Sequence, residues 1–347
     1  MTSTLFFAYP GDLELKTGGY AYDRHLIHGL QQLGWQVDLL SLGDGFPAPS
    51  ADALALAEQQ LSALPEDALV MIDGLAFGVM NEWAKREATR LRIIALVHHP
   101  LALETGLPAD VADVLRNSER EALAFVRHVV VTSPETARTL SSSYNVSLDA
   151  ITIALPGTEQ RSPAKGGNDP VHIVSVGTLT KRKGHDVLID ALDRIRDLPW
   201  RASIIGNRSL DPATADALDD QVKRLALGER VRLCGQVNDV PAVLETADIF
   251  ALASRYEGYG MVFAEALSQG LPIVACHAGA VPDVVPANAG VLVPVDDVEA
   301  FAGALRRFIT NPALRREFAD AAAKAGAALP GWQDTAARVS TGLKGIK

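Results

Sequence analysis

Along the 347-residue chain, short runs rich in valine, isoleucine and leucine alternate with longer amphipathic segments. This pattern predicts parallel strands buried on both faces by crossover helices. In the first half the predicted strands are TLFFAY (4–9), QVDLLSL (36–42), ALVMIDG (68–74), RIIALVHH (92–99), HVVVTS (128–133) and AITIAL (150–155). Helices are expected between them, for example Tyr20 to Leu33 and Ala109 to Val126. The stretch from Pro156 to Pro170, PGTEQRSPAKGGNDP, is polar, holds three prolines and three glycines, and has no periodicity, so it reads as a linker. The alternation then restarts with VHIVSVG, ASIIG, RVRLCG, DIFALAS, PIVACHAG and GVLVPV, and GWQDTAARVSTGLKGIK reads as a closing helix. The expected fold class is α/β, with two doubly wound domains. No fixed-period repeat suggests a solenoid. Ligands of open parallel sheets bind beyond the carboxyl ends of the strands, so two such domains facing each other would form a cleft.

Composition narrows the chemistry. With 32 basic and 42 acidic residues the formal net charge is −10, which argues against nucleic acid or an anionic membrane as a broad partner. Any anionic ligand must be met by a local cationic cluster. The two cysteines, Cys234 and Cys276, are far apart and in no metal-ligand spacing, as suits a reducing compartment. The start, MTSTLFFAYPGD, lacks the basic region and apolar length of an export signal, and no run of about 18 apolar residues appears. The cytoplasm is the expected location, with no integral membrane segment. A peripheral contact at the inner membrane face stays open.

Four stretches carry candidate chemistry. In SRYEGYGMVFAEALSQGLPIVA, Glu257 and Glu265 stand eight positions apart, with Gly258 and Gly260 between the strand and a helix from Met261 to Gln269. A helical wheel puts Val262, Phe263, Ala266, Leu267 and Gly270 on one side and Glu265 and Ser268 on the other. A strand, a glycine turn and a helix N-terminus let backbone N–H groups meet an anion, and nearby carboxylates would accept hydrogen bonds from hydroxyls beside it. A first-turn glutamate favoured by the helix dipole, plus an ordinary turn glutamate, explains the same spacing. In VSVGTLTKRKGHDVLIDAL, the cations Lys181, Arg182 and Lys183 follow a strand end, as in a phosphate clamp or on a solvated surface. Gly18 and Gly19 open the first helix, where a paired glycine is more often a turn than a ligand loop facing a phosphate, and no G-x-G-x-x-G supports a dinucleotide site. His98 and His99 end a strand, and at most one of them faces a given pocket. Either a structural or a functional role suits that histidine. His25 and His28 read as helix surface. No Asp-x-Asp triplet occurs, so no built-in divalent metal site is expected.

Taken together, TGGYAYDRHLIHGLQQLGWQV, VGTLTKRKGHDVLIDAL, ADIFALASRYEGYGMVFAEALSQGLPIVA, GAVPDVV and NAGVLVPVDDVEAFAGAL resemble, in that order, glycosyltransferase family 4. These are retaining nucleotide-sugar transferases of the GT-B fold, with two facing Rossmann-like domains. The resemblance implies an acceptor-side domain over 1–157, a linker over 158–170, a nucleotide-sugar domain over 171–329, and a final helix, 330–347, crossing back to the first domain around Trp332. It implies that Glu265 holds the ribose hydroxyls, and that Glu257 binds the donor hexose with the backbone of Gly258, Tyr259, Gly260 and Met261. Arg182 and Lys183 would neutralise the diphosphate, Gly18 and Gly19 would approach it, His98 would contact the transferred sugar, and Val237 would lie near the base. A phosphate oxygen of the leaving group would take the acceptor's proton, so no protein nucleophile, metal or cofactor is implied. The partners would be a nucleotide-sugar donor and an unidentified acceptor: a small molecule, a glycan or a lipid-linked molecule. Two positions depart from the family pattern. Thr178 stands where an arginine is common, and GNRS (Gly206 to Ser209) replaces a G-x-G. An epimerase or phosphorylase on the same architecture, or a catalytically silent sugar-nucleotide binding protein, are the competing readings.

Overall fold

The computed structural model describes residues 3–346. Met1, Thr2 and Lys347, which belong to the expected first and last segments, lie outside the described residues. The chain divides into two units, one of residues up to Gly157 together with residues from Pro330 onward, the other Thr158–Leu329.

Unit 1 holds strands β1 (Thr4–Tyr9), β2 (Gln36–Ser41), β3 (Leu69–Asp73), β4 (Arg92–Val97), β5 (His128–Val131) and β6 (Ile151–Ile153). Between them run α1 (Gly18–Gln32), α2 (Ala51–Ser62), α3 (Gly74–Phe77), α4 (Asn81–Glu87), α5 (Ala109–Leu123) and α6 (Pro134–Ser143). The sheet is parallel in the order β2-β1-β3-β4-β5-β6. Its strands are apolar on both sides because both faces are covered: Val70, Ile72, Ile93 and Trp83 pack on one, Phe7, Met71, Ile94 and Leu26 on the other.

Unit 2 repeats the plan with β7 (Val171–Val176), β8 (Trp200–Ile205), β9 (Val231–Gly235), β10 (Ile249–Leu252), β11 (Ile273–Cys276) and β12 (Gly290–Val293). Its helices are α7 (His185–Asp193), α8 (Pro212–Arg224), α9 (Val240–Leu244), α10 (Met261–Ser268), α11 (Val281–Val284), α12 (Val298–Thr310) and α13 (Pro312–Ala327). The strand order is β12-β11-β10-β7-β8-β9, again parallel. Most of the predicted strands stop before their apolar runs end, because the last residues already turn out of the sheet into the loops. Many helices begin where the sequence supplies a cap: Ser50, Ser133, Asp211, Asp239, Asp297 and Asn311 each accept the N–H three residues on.

The last helix, α14 (Trp332–Lys344), packs in unit 1 against α1. The Trp35 indole donates to Ser340 Oγ at 2.9 Å, and Thr335 donates to the Leu155 carbonyl at 2.7 Å. A Cβ on Gly29 would fall 2.5 Å from that of Ala336, so the two helices need glycine at that crossing.

One expectation is corrected here and two are extended. His25 is not plain helix surface: its ring stacks on Trp332 of α14, centroids 4.1 Å apart and nearly coplanar. Ser268, on the side of α10 away from its apolar stripe, is buried as well, because α13 covers that side and Gly326 comes against the Leu267 backbone. Residues 158–170 form no helix or strand, as expected of a linker, yet they are pinned along unit 2. Ala164 N–H bonds the Gln269 carbonyl, Lys165 N–H the Glu245 carbonyl, and Asn168 reaches the Asp248 carboxylate.

Candidate active site

Each sheet has one place where the strand order reverses, and there the loops on either side diverge to leave room for a ligand. In unit 2 that place lies between β7 and β10. The chain leaves β7 through Gly177 and Thr178 into a single 3-10 turn, Lys181–Lys183, then enters α7. Gly184 makes this junction in the left-handed conformation, φ +62°, and a Cβ there would lie 1.9 Å from the Ala253 carbonyl oxygen. Gly206, first of the GNRS departure, is equally constrained: its Cβ would lie 1.8 Å from the Gly177 oxygen. Arg208 of that stretch is tied to Asp219. His185, kept neutral because burial pushes it down to about 4, sets its Nε2 3.2 Å from the Gly177 carbonyl.

The chain leaves β10 into Ser254–Gly260 and then α10. Glu257, 4% exposed, lies in this loop, and Lys183 donates to its Oε1 at 2.6 Å. The Ser254 hydroxyl donates to the same oxygen at 2.6 Å, and Arg182 reaches Oε2 at 3.4 Å and the Tyr256 carbonyl at 3.1 Å. Burial by itself pushes the Glu257 carboxyl up; the charges of Lys183 and Arg182, with the two hydrogen bonds, outweigh it and hold it below its ordinary value. The carboxylate is thus ionised and tied, and it holds both cations at the strand end before any ligand arrives. Arg255 secures the turn from behind, its N–H bonding the Arg182 carbonyl and its guanidinium bonding Lys181 O, Asp186 and Asp296.

The helices that follow these loops lack side-chain caps. Gly184 and Gly260 (φ +89°) are the N-cap residues of α7 and α10. Their leading N–H groups are therefore not taken by a serine or aspartate, the condition under which a helix start receives an anion. Tyr259 is buried, its hydroxyl without a hydrogen-bond partner among the described residues. Met261 is the first residue of α10. Glu265 follows one turn later, and burial, with Glu159 beside it, pushes its carboxyl up to about 7 against the pull of Arg161. Val237 sits half-buried in the loop after β9, and the Thr178 carbonyl accepts the Thr180 N–H at 2.8 Å.

In unit 1 the reversal lies between β1 and β3. Gly18 and Gly19 are the first residues of α1, whose N-cap Thr17 also makes no side-chain cap. His98 comes directly after β4, its Nε2 3.1 Å from Asp23 of α1 and 3.4 Å from Asp73 at the end of β3. His99 turns instead toward Glu104, 3.5 Å away.

The family model for glycosyl transferases group 1 matches residues 158–325, the whole of the second sheet with its cationic turn and its Glu257 loop. Unit 2 thus matches a glycosyltransferase domain of this group, and the relatives that resemble the chain are glycosyltransferases. A D-inositol 3-phosphate glycosyltransferase of Corynebacterium glutamicum is 28% identical over 287 residues, 75% of this chain and 68% of that protein. A mannosylfructose-phosphate synthase of Agrobacterium fabrum is 28% identical over 172 residues, 44% of this chain and 38% of that one. The chain thus spans about two thirds of the first relative and well under half of the second. Among solved structures, a sucrose-phosphate synthase of Thermosynechococcus elongatus superposes with a TM-score of 0.83 at 20% identity, covering 98% of both chains. Anabaena HepE, solved with UDP, gives 0.73 at 17%, covering 99% of this chain and 100% of that one. These likenesses give the glycosyltransferase its fold, GT-B.

Reading the sequence of this glycosyltransferase brought Lys183, Arg182 and Glu257 to one place, but it missed the groups that hold them. Ser254, three residues before Glu257, carried a signal in its hydroxyl and spacing. Arg255, Asp23 and Asp73 carried none that marks them apart from ordinary surface charges. No helix among the described residues is long and apolar enough to cross a membrane.

Proposed function

We propose that this glycosyltransferase moves a hexose from a nucleotide diphosphate sugar to an acceptor hydroxyl, with retention at the anomeric carbon and without a bound metal. The observation that carries this reading is the Lys183–Glu257–Arg182 cluster, set where the second sheet reverses and beside two helix starts that no side chain caps. When the bond from the anomeric carbon to the phosphate oxygen breaks, negative charge gathers on the departing diphosphate and positive charge on the sugar. Lys183, Arg182 and the leading N–H groups of α7 and α10 meet the former charge already oriented, and removing one such donor commonly costs roughly 100- to 1000-fold in rate. The acceptor oxygen bonds the anomeric carbon on the face the diphosphate leaves, and its proton passes to that leaving oxygen. Glu257 is ill placed to be a nucleophile, since its oxygens already serve Lys183, Ser254 and Arg182. Glu265 is assigned to the ribose hydroxyls and Tyr259 to Met261 to the sugar. HepE, a neighbour in fold, was solved with UDP, which supports a nucleotide diphosphate as the leaving group here.

Metal independence rests on the same cations, which do the work a divalent ion does in other transferases. Asp23, Asp73 and His98 form a group of ligand-type atoms within 4.8 Å of one another, but the imidazole nitrogen is engaged by both carboxylates as an ion pair. The test is a thermal-shift panel of UDP, GDP and ADP sugars, run with a chelator present. A ligand that binds the folded state raises its apparent stability by mass action. One base should shift the protein and release its nucleotide diphosphate. A flat response across the panel, with no donor hydrolysis at any concentration, rejects the reading.

A further inference from the structure

The turn Lys181–Lys183 carries the cations of the candidate site, yet the core does not set its place in unit 2. None of its three residues is buried. Leu179, two residues before it, is buried and bonds the Asn207 carbonyl through its N–H at 3.0 Å, and His185, two residues after it, is buried at the start of α7. The turn spans the gap between these anchors. Its own bonds, Lys183 N–H to the Thr180 carbonyl at 3.1 Å and Gly184 N–H to the Lys181 carbonyl at 3.2 Å, close it without fixing its direction.

Two polar ties hold it from outside. Glu257 takes the heads of Lys183 and Arg182, whereas Arg255 takes the backbone that carries them. The Arg255 N–H bonds the Arg182 carbonyl at 2.8 Å, and its Nη1 donates to the Lys181 carbonyl. The guanidinium is itself fixed. Nη1 and Nη2 fork onto the Asp186 carboxylate in the first turn of α7 at 3.0 and 2.7 Å, and Nε donates to Asp296 beyond β12 at 2.8 Å. One side chain therefore joins the segments that follow β7, β10 and β12. Most of the guanidinium N–H groups are committed to these partners, and two carboxylates offset its charge, so it is built to hold the turn and not to grip a phosphate. Because the Asp186 and Asp296 side chains are 46% and 54% exposed, the ion pairs themselves add little to stability.

We propose that Arg255 is a positioning residue for the transfer reaction: by holding the carbonyls of Lys181 and Arg182 it fixes the direction in which Arg182 and Lys183 present their charges to the departing diphosphate. It touches no reacting group. This deepens, and rests on, the reading of the protein as a nucleotide-sugar transferase. Its consequence is a split between rate and binding. Misplacing a catalytic group by about 1 Å costs about 100-fold in rate, whereas cations that are still present still attract the donor.

The test compares the wild type with Arg255→Ala and Arg255→Lys in the full chain. It follows hydrolysis of UDP-, GDP- or ADP-glucose, whichever the wild type turns over, together with deuterium exchange at the Lys183 and Gly184 amides. Arg255→Ala keeps the backbone bond to Arg182 and should lose about 10- to 100-fold in kcat, with KM changed less than about 3-fold. Its melting temperature should fall by no more than about 5 °C, while the two amides exchange about 10-fold faster. Guanidinium ion at millimolar concentration should restore part of the lost kcat. Arg255→Lys should recover less than arginine gives, because an ammonium cannot fork onto Asp186 and reach the Lys181 carbonyl as well. A kcat for Arg255→Ala within about 3-fold of wild type overturns the proposal. So does a rise in KM that accounts for the whole loss, which would make Arg255 a ligand of the donor, or a lost rate that guanidinium does not restore. Wild-type NMR decides the matter even if the variants do not fold: a fixed guanidinium gives separate Nη proton signals, and a single averaged signal for Arg255 overturns the proposal. If the wild type turns over none of the three sugars, the functional reading falls and takes the rate claim with it, while amide exchange still decides whether Arg255 holds the turn.

Discussion

Glu257→Ala measures the cluster on which the proposed chemistry depends. The carboxylate takes two hydrogen bonds at 2.6 Å and pairs with two cations whose side chains are 12% (Lys183) and 21% (Arg182) exposed. Truncating it strips both cations of the Glu257 counter-charge. Removing one partner of a buried pair costs about 3–5 kcal/mol. The residual exposure of the cations screens part of this loss, so about 2–4 kcal/mol is expected. At roughly 2–4 °C per kcal/mol for a unit of this size, the unit 2 transition should fall by about 5–15 °C in calorimetry. The two units can unfold separately, so the transition is assigned by its response to nucleotide sugar. Lys183→Met should be costly for the mirror reason, leaving a buried carboxylate with Arg182 and Ser254. In the double variant neither charge is stranded by the other, and a coupling of about 1–3 kcal/mol should appear. Costs that simply add, to within about 0.5 kcal/mol, would refute the cluster. The pH dependence gives a second check. Because Glu257 is held below its ordinary 4.5, its stabilisation is present above that value and lost as pH falls through the folded value. The gap between wild type and Glu257→Gln should therefore close in acid.

Glu265 carries the opposite sign. Burial raises its carboxyl to about 7, so the folded state is favoured below the ordinary 4.5 and gives up that advantage as pH rises through 7. Glu265→Gln should melt higher than wild type at pH 8 and the same at pH 4. Nucleotide-sugar affinity, by titration calorimetry, should weaken in that variant; in the wild type it should fall up to about 5-fold from pH 7 to pH 6 as the carboxylate protonates. An affinity flat across that interval would remove Glu265 from the site. Gly184→Ala puts a Cβ into the Ala253 carbonyl in a left-handed backbone and should cost more than about 3 kcal/mol, or prevent folding. Gly228→Ala, with nothing within 4 Å of the added Cβ, should stay within about 0.5 kcal/mol, and equal costs at the two positions would refute the close approach.

The strand at Arg92–Val97 shows how far the pattern carries and where it stops. Its apolar run marks a strand buried on both faces and puts His98 just beyond the end, where ligands bind, but nothing in RIIALVHH indicates that Asp23 and Asp73 converge on that ring. The same limit appears in α10. A helical wheel assigns each residue a direction from its own axis, yet Ser268 is buried because α13, from a later part of the chain, lies over that side.

The sequence by itself determined the elements, the two-sheet plan, and the residue types at the strand ends, because strand and helix periodicities and the conformational demands of glycine act over a few residues. It also determined that cations would gather locally in an acidic chain. Only the tertiary structure decided which charges meet. Lys183 and Glu257 are 74 residues apart and touch because β10 docks beside β7 and not beside its sequence neighbour β9. Strand order is set by the packing of all the helices on both faces at once, and an ion pair made across it depends on that collective arrangement, which no local pattern contains.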